Sequence, residues 1–300
     1  MANKPQIAGL ELGGTKCVAL LARGPGEVVA QTRIPTDDPD TTLAAVEAAL
    51  DAWDFDAIGV ASFGPLDLDP ASSTYGSITA TTKPGWTGTD LVRRLRARYA
   101  RPLAIQTDVN GAALAEGRWG AARAMAAHCY ITVGTGVGVG AVVGGRPVQG
   151  YAHGEAGHMR IARAPGDSYG GWCRFHGDCV EGLIAGPALA ERFGRPAEQL
   201  ADDAPEWALF VHDLAGMLHN LVVTLAPERI SVGGGVIGER PVLFGALRGR
   251  LAASLGGYGS FARYADELDT RLGPPGLGAM AGPLGAIAVG LDALGERPHE

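Results

Sequence analysis

Apolar positions in the first thirty residues come in three runs, QIAGLELGG, TKCVALLARG and VVAQTRIPT, with PGE between the second and third. Runs this short, rich in Val, Ile and Leu and bounded by Gly and Pro, predict three strands in a meander. The period then changes. In DPDTTLAAVEAALDAW, Leu43, Val46, Leu50 and Trp53 recur at helical spacing behind acidic and Thr capping residues, which predicts a helix. AIGVASFG predicts a strand that leaves through the turn-rich PLDLDP, and the polar stretch to Trp86 reads as loop with at most one short strand. TDLVRRLRARYA, RPLAIQTD and NGAALAEGRWG follow as helix, strand and helix, the helical reading running on to AARAMAAH. This alternation is that of an α/β chain.

The opening pattern then returns. HCYITVGTGVG, VGAVVGG and RPVQG repeat strand, glycine turn, strand, tight turn, strand, so residues 7–31 and 129–149 read as two copies of one unit, and hence as two lobes of related architecture. From Tyr151 to Gly182 the chain is glycine-rich and poorly periodic. PALAERFG and PEWALFVHDLAGMLHNLVVTLAP predict helices, the second with Trp207, Phe210, Val211, Leu214, Leu218, Leu221, Val222 and Leu225 on one buried face. RISVGGGV predicts a strand and GPLGAIAVGLDALG a closing helix. With no low-complexity linker in the sequence, the lobes are expected to share an intimate interface.

Composition narrows the classes. Of 300 residues 46% are hydrophobic and 19% charged, enough for a large core, and the 46 glycines are twice the average usage of about 7%. A net charge of -7 and a pI near 5.5 offer no basic field for nucleic acid or anionic lipid. MANKPQIAGLELGG lacks the apolar run of a signal peptide, and no later apolar stretch reads as long enough to span a bilayer, so a cytoplasmic location is expected. Four cysteines are too few for a disulfide scaffold; thiols or thiolate ligands are expected.

Candidate chemistry gathers at the glycine turns. In GLELGGTK, Gly13, Gly14 and Thr15 allow backbone N–H groups close approach to a polyphosphate, although the spacing is not that of a P-loop and a plain hairpin turn is the alternative. GTGVGVG holds the equivalent turn of the second copy; it lies between strands and opens no helix, so the dinucleotide fingerprint fails in context. VGGGVI ends a strand, where nucleotide sites of α/β folds tend to lie. Three such turns in a duplicated chain point to a nucleotide clamped between lobes.

Asp108, at a strand–helix junction in TDVNGAALAEG, can accept the proton of an attacking hydroxyl, with Asn110 holding that hydroxyl in line; a helix N-cap is the alternative and does not exclude this role. HGEAGH (153–158) and Glu181 supply the carboxylates and imidazoles of a polyol pocket, or else exposed loop charges. WCRFHGDCVE places Cys173, His176 and Cys179 as CxxHxxC, a spacing that suits a metal knuckle and not a CxxC redox pair. Cys17 and Cys129 read as buried thiols, Trp86 as core or pocket wall, and His128, His212, His219 and His299 as packing, surface or tail residues.

Through ELGGTK, SFGPLD, YGSITATTKPGW, TDVNGAALAEG, ITVGTGVG, GEAGH, CRFHGDCVEG and GGGV, in that order over nearly the whole chain, the sequence resembles the ROK family of sugar kinases, and within it the bacterial fructokinase branch. The resemblance implies a duplicated, actin-like (ribonuclease H-like) ATPase fold with ATP and a hexose in the interlobe cleft. A smaller N-terminal α/β lobe is expected over 1–110, joined by the C-terminal helix 283–296, and a larger one over 111–282 with the zinc-binding loop.

Residue by residue, the resemblance implies Asp108 as catalytic base and Asn110, Glu155, His158 and Glu181 as sugar-pocket residues. Gly13, Gly14, Thr15 and Lys16 match the first phosphate loop, Gly134, Thr135 and Gly136 the second, and Gly233, Gly234 and Gly235 the adenosine region. Glu11, on the nucleotide and magnesium side, stands where many relatives carry Asp. His158, Cys173, His176 and Cys179 match the ligands of a structural zinc, with His176 replacing the commoner cysteine; four protein ligands leave no open position for a zinc hydrolase. Such a zinc would tie the loop so that Glu155 and Glu181 face the sugar.

The implied reaction is transfer from ATP with Mg²⁺ to a hexose, foremost fructose at its 6-hydroxyl, by a homodimer. Glucokinase, mannokinase or N-acetylhexosamine kinase activity on the same scaffold is the alternative. A non-catalytic sugar-binding regulator is disfavoured by the intact Asp108 and phosphate loops, and no DNA-binding helix-turn-helix precedes the first strand.

Overall fold

A computed structural model describes residues 4–238 and 240–296; His299 lies outside the described residues. The chain runs β1 (Ile7–Leu12), β2 (Lys16–Ala22), β3 (Val28–Pro35), α1 (Pro39–Asp51), β4 (Ala57–Ser62), α2 (Leu91–Arg98), β5 (Leu103–Thr107) and α3 (Asp108–Trp119). It continues with β6 (Ala127–Val133), β7 (Val137–Val143), β8 (Arg146–Pro147), α4 (Val180–Ile184), α5 (Gly186–Phe193), α6 (Trp207–Leu225) and β9 (Arg229–Gly233). It ends with α7 (Leu243–Leu255), α8 (Phe261–Asp266), α9 (Leu268–Arg271), β10 (Leu272–Gly273) and α10 (Ala281–Ala293).

The duplication seen in the sequence is also topological. One sheet has the order β3-β2-β1-β4-β5 and the other β8-β7-β6-β9-β10, so each meander strand has its counterpart. β4 lies parallel to β1 as β9 does to β6, and β5 parallel to β4 as β10 does to β9. The chain divides into two units: residues up to Ala126 with Gly140–Gly154 and those from Gly276 on, and Ala127–Val139 with Glu155–Pro275. The boundary expected at 110/111 thus falls after Ala126. The reason is packing: α3 lies along α10 by glycine-to-glycine contact, a Cβ on Gly285 falling 2.5 Å from the Gly111 carbonyl carbon, which keeps both helices with the first sheet.

In the first unit α10 is buried on almost every side, which its apolar composition, GPLGAIAVGL, permits. It reaches β4 at Gly59, where a Cβ would lie 1.9 Å from the Ala286 carbonyl oxygen, so an alanine there has to lift the helix off the sheet. α1 begins as its sequence predicts: Asp38 accepts from the Thr41 N–H at 3.0 Å and Pro39 opens the first turn. Trp86 is fully buried, its indole N–H donating to the Asp37 carbonyl at 2.8 Å, so it is core and not a pocket wall.

Two local expectations change, and a third, the loop leading to Trp86, holds. The helix read on to AARAMAAH ends at Trp119, because the buried Glu116 carboxylate accepts from the N–H groups of Ala121, Gly276 and Leu277 at 2.8, 2.9 and 2.8 Å; residues 121–124 form turns instead. Between 63 and 90 only isolated bridges form, such as Leu66 with Ile78. In the second unit α6, 19 residues with a mean hydropathy of 1.4, is long and apolar enough to cross a membrane, contrary to the sequence reading. Here it packs on α4 and α7 and carries the fully buried Asp213, ion-paired to Arg192 on α5, as a core helix does.

Candidate functional site

The β1–β2 turn closes through the Gly13 N–H and the Lys16 carbonyl at 3.0 Å, and a Cβ on Gly13 would meet that oxygen at 2.7 Å, so glycine is required there. The turn's carbonyls are held from outside. Thr36 Oγ1 donates to the Gly13 carbonyl at 2.8 Å, and Lys83 Nζ donates to the Gly14 carbonyl at 2.7 Å and the Thr36 carbonyl at 3.1 Å. Gly14, Thr15 and Lys16 remain exposed, and a Cβ on Gly14 would meet nothing within 4 Å. Open backbone of this kind suits a polyanion. Lys83 and Thr36 were missed in sequence; KPGW, singled out for its Trp, was the available signal.

Asp108 opens α3 at the C-terminal end of the parallel strand β5. The N-cap is Thr107, whose hydroxyl accepts from the Asn110 N–H at 3.2 Å, so Asp108 is the first helical residue and not the cap. Asp108 Oδ1 accepts from the next N–H, Val109, at 2.8 Å. Asn110 is buried and its Nδ2 donates to Gln106 Oε1 at 3.0 Å, which ties that amide to its own strand. Glu11, at the end of β1, lies against the start of α10, where a Cβ on Gly282 would sit 2.0 Å from Oε1. Burial, reinforced by the negative Asp108 and opposed by Lys16, pushes the Glu11 carboxyl up to about 7. Two acidic groups thus influence one another beside the exposed glycine turn.

In the second unit the β6–β7 turn holds Gly134, Thr135 and Gly136. The Gly134 N–H donates to the Gly136 carbonyl at 2.9 Å, and the Gly186 N–H, at the start of α5, donates to the Gly134 carbonyl at 2.7 Å. The Glu181 carboxylate accepts from the Val137 N–H at 3.1 Å. Beside this turn the chain leaves β9 through Gly233, Gly234 and Gly235. Gly234 has φ +93° and a Cβ there would lie 2.4 Å from the Val133 carbonyl oxygen, so no side chain fits; the Val236 N–H donates to that oxygen at 3.0 Å. Two of the three glycine motifs are therefore juxtaposed at the ends of neighbouring strands.

His158, Cys173, His176 and Cys179 converge: their ligand atoms all lie within 4.8 Å of one another. His158 Nδ1 is 3.5 Å from Cys179 Sγ and 3.7 Å from Cys173 Sγ, which is 3.7 Å from His176 Nδ1. A tetrahedral zinc with Zn–S near 2.3 Å and Zn–N near 2.05 Å sets its ligands about 3.3–3.8 Å apart, so the donor set fits. The knuckle is built by close backbone contact, with Cys173 and Gly177 exchanging hydrogen bonds at 3.1 and 2.8 Å. Glu155 is exposed and precedes the single turn Ala156–His158. His153 faces elsewhere, its Nε2 accepting from the Leu66 N–H at 3.0 Å.

An ion network unseen in sequence fixes this irregular loop. Arg192, with 3% of its side chain exposed, bonds Asp213 at 2.8 Å and Asp167 at 2.5 Å. Asp167 also pairs with Arg163 at 2.5 Å, and Asp178, next to Cys179, pairs with Arg163 at 3.1 Å and with Arg160. Asp167 is held below the usual carboxylate range by its Arg163 hydrogen bond and the two guanidinium charges, against the desolvation that opposes them.

Comparison with known proteins agrees with this architecture. The ROK family's sequence profile matches residues 7–292, and the chain belongs to the ROK family. It is 38% identical to a fructokinase from Pediococcus pentosaceus over 96% of this chain and 98% of that protein. It is 39% identical to a fructokinase from Zymomonas mobilis over 98% and 99%. Its fold is that of a ROK hexokinase from Thermus thermophilus, with TM-score 0.76 and 29% identity over 97% of this chain and 99% of the other, so the actin-like ATPase fold implied by the sequence holds.

Proposed function

We propose that the chain is an ATP-dependent hexose kinase that transfers the terminal phosphoryl group of MgATP to the 6-hydroxyl of fructose. The kinase reading is carried by Asp108, a carboxylate at the end of a parallel strand in the unit that exposes the Gly13–Lys16 turn. Fructose is supported by the nearly full-length likeness to two fructokinases. Asp108 takes the proton of the sugar hydroxyl as it attacks, a role that contributes about 10²- to 10⁴-fold in rate. Gly13, Gly14, Thr15 and Lys16, and Gly134, Thr135 and Gly136, supply N–H groups and charge to the phosphates, where most of the gain in phosphoryl transfer arises. Gly233, Gly234 and Gly235 serve the adenosine side.

Glu155, His158 and Glu181 are assigned to the sugar's hydroxyls, and Asn110, tied to Gln106, shapes the pocket wall. His158, Cys173, His176 and Cys179 would hold a structural zinc, which supplies a cross-link and no reacting group. The four cysteines are buried and none is joined in a disulfide, which suits a reducing compartment, and we place the enzyme in the cytoplasm.

The test is sugar-dependent ADP release over fructose, glucose, mannose and N-acetylated hexosamines, with Asp108→Asn as control. Fructose is expected to be the best substrate. The variant should lose at least 10²-fold in turnover while still binding fructose in calorimetry. Near-normal turnover by the variant removes the assigned role, and a better substrate than fructose removes the specificity.

A further inference from the structure

The turn Gly134–Gly136 and the His/Cys cluster are joined by one side chain. Glu181 Oε2 accepts from the Val137 N–H at 3.1 Å and lies so close to the turn that a Cβ on Gly136 would be 2.8 Å from it. The other oxygen, Oε1, is 3.9 Å from His158 Nδ1, inside the cluster. Cys179, a member of that cluster, is the residue from which α4 starts, two positions before Glu181. Five residues further on, the Gly186 N–H grips the Gly134 carbonyl at 2.7 Å. Residues 179–186 therefore form a short strut with the cluster at one end and both sides of the glycine turn at the other.

We propose that Glu181 is a positioning residue that couples occupancy of the cluster by a metal to the conformation of the Gly134–Gly136 turn, and so to nucleotide affinity. The physical argument is local. A metal that fixes His158 and Cys179 fixes the first turn of α4 and the carboxylate it carries. That carboxylate makes a charge-assisted hydrogen bond to the first amide of β7, and this bond, with Gly186, determines how the turn presents its own N–H groups. Without the metal the carboxylate loses its anchor, and glycines, which resist distortion least, let the turn relax. The inference rests on reading the turn as a phosphate loop. It goes beyond a sugar contact for Glu181, because it predicts an effect on nucleotide with no sugar present.

The experiment is ADP binding by calorimetry in the absence of sugar, on metal-loaded and chelator-treated protein, with metal content measured and folding followed by circular dichroism. Glu181→Ala should weaken ADP binding about tenfold. Glu181→Gln, which keeps an acceptor oxygen for the Val137 N–H, should stay within about threefold of wild type. Chelation should weaken ADP binding by wild type about as much as the alanine substitution does, and should add nothing in Glu181→Ala, since both act on one link. Should Glu181→Ala not fold, Gly136→Ala, which displaces the carboxylate from the other side, should give the same loss and the same insensitivity to chelation. Unchanged ADP affinity in these variants, or equal chelation effects in wild type and variant, overturns the coupling. Wild-type protein that binds no ADP at all overturns the phosphate-loop assignment itself.

Discussion

Replacing Glu11 by Gln tests the electrostatics of the first unit without touching its shape. Burial and the neighbouring Asp108 raise the Glu11 carboxyl from 4.5 to about 7 in the folded chain. A rise of about 2.5 units at 1.36 kcal/mol each is about 3 kcal/mol. The folded state holds the Glu11 proton more tightly than the unfolded state does, so this stabilisation is fully present below pH 4.5 and is lost as pH rises through about 7. Gln cannot ionise. Wild type and Glu11→Gln should therefore unfold alike near pH 4, whereas near pH 8 the variant should be the more stable by up to about 3 kcal/mol, or roughly 5 °C in Tm. Urea unfolding of the ligand-free protein from pH 4 to 8 measures this directly. A difference between the two proteins that does not change with pH would refute the reasoning, because it would mean that Glu11 titrates alike in the folded and unfolded chains and that its burial is compensated.

Two further substitutions probe supports that the sequence hides. Arg192→Met leaves Asp213 buried without its cation, and Asp167 with Arg163 alone, and should cost about 3–5 kcal/mol in chemical denaturation; a cost below about 1 kcal/mol would mean that the network is solvated. Lys83→Met releases the Gly14 and Thr36 carbonyls and should raise KM for ATP about tenfold, equivalent to about 1.4 kcal/mol, with kcat little changed; steady-state kinetics at varied ATP decides it, and an unchanged KM removes Lys83 from the support of the turn.

The elements legible in sequence are those whose period is written locally. The two meanders, α1 and α6 show apolar spacing over whole turns or strands, and the duplication follows because both meanders carry the same strand, glycine turn, strand rhythm. α7 is equally periodic, with Leu243, Phe244, Leu247, Leu251 and Leu255 buried, yet it escaped notice between glycine-rich flanks. The four cluster residues were legible because ligand types are few and their spacing is distinctive. Glu116 was not. It sits in an unremarkable helix and earns its place by accepting from N–H groups at 276 and 277, about 160 residues away.

The same logic separates the glycines from what holds them. A glycine turn announces close approach of the backbone, but it cannot hold itself, since glycine brings no side chain to restrict it. In the first unit the restraint is a cation, Lys83, from 69 residues downstream of Gly14; in the second it is an anion, Glu181, 44 residues downstream of Val137. One binds a carbonyl and the other an N–H, so each satisfies a backbone group of its turn. Neither residue's place is written locally: Lys83, one of three lysines, and Glu181 are half-buried, and only their contact with a turn marks them. The parallel implies a division of labour in duplicated sites of this kind: the glycines are set by the geometry a ligand requires, while the charged residue that pins them is free to arrive from whichever segment the fold brings near.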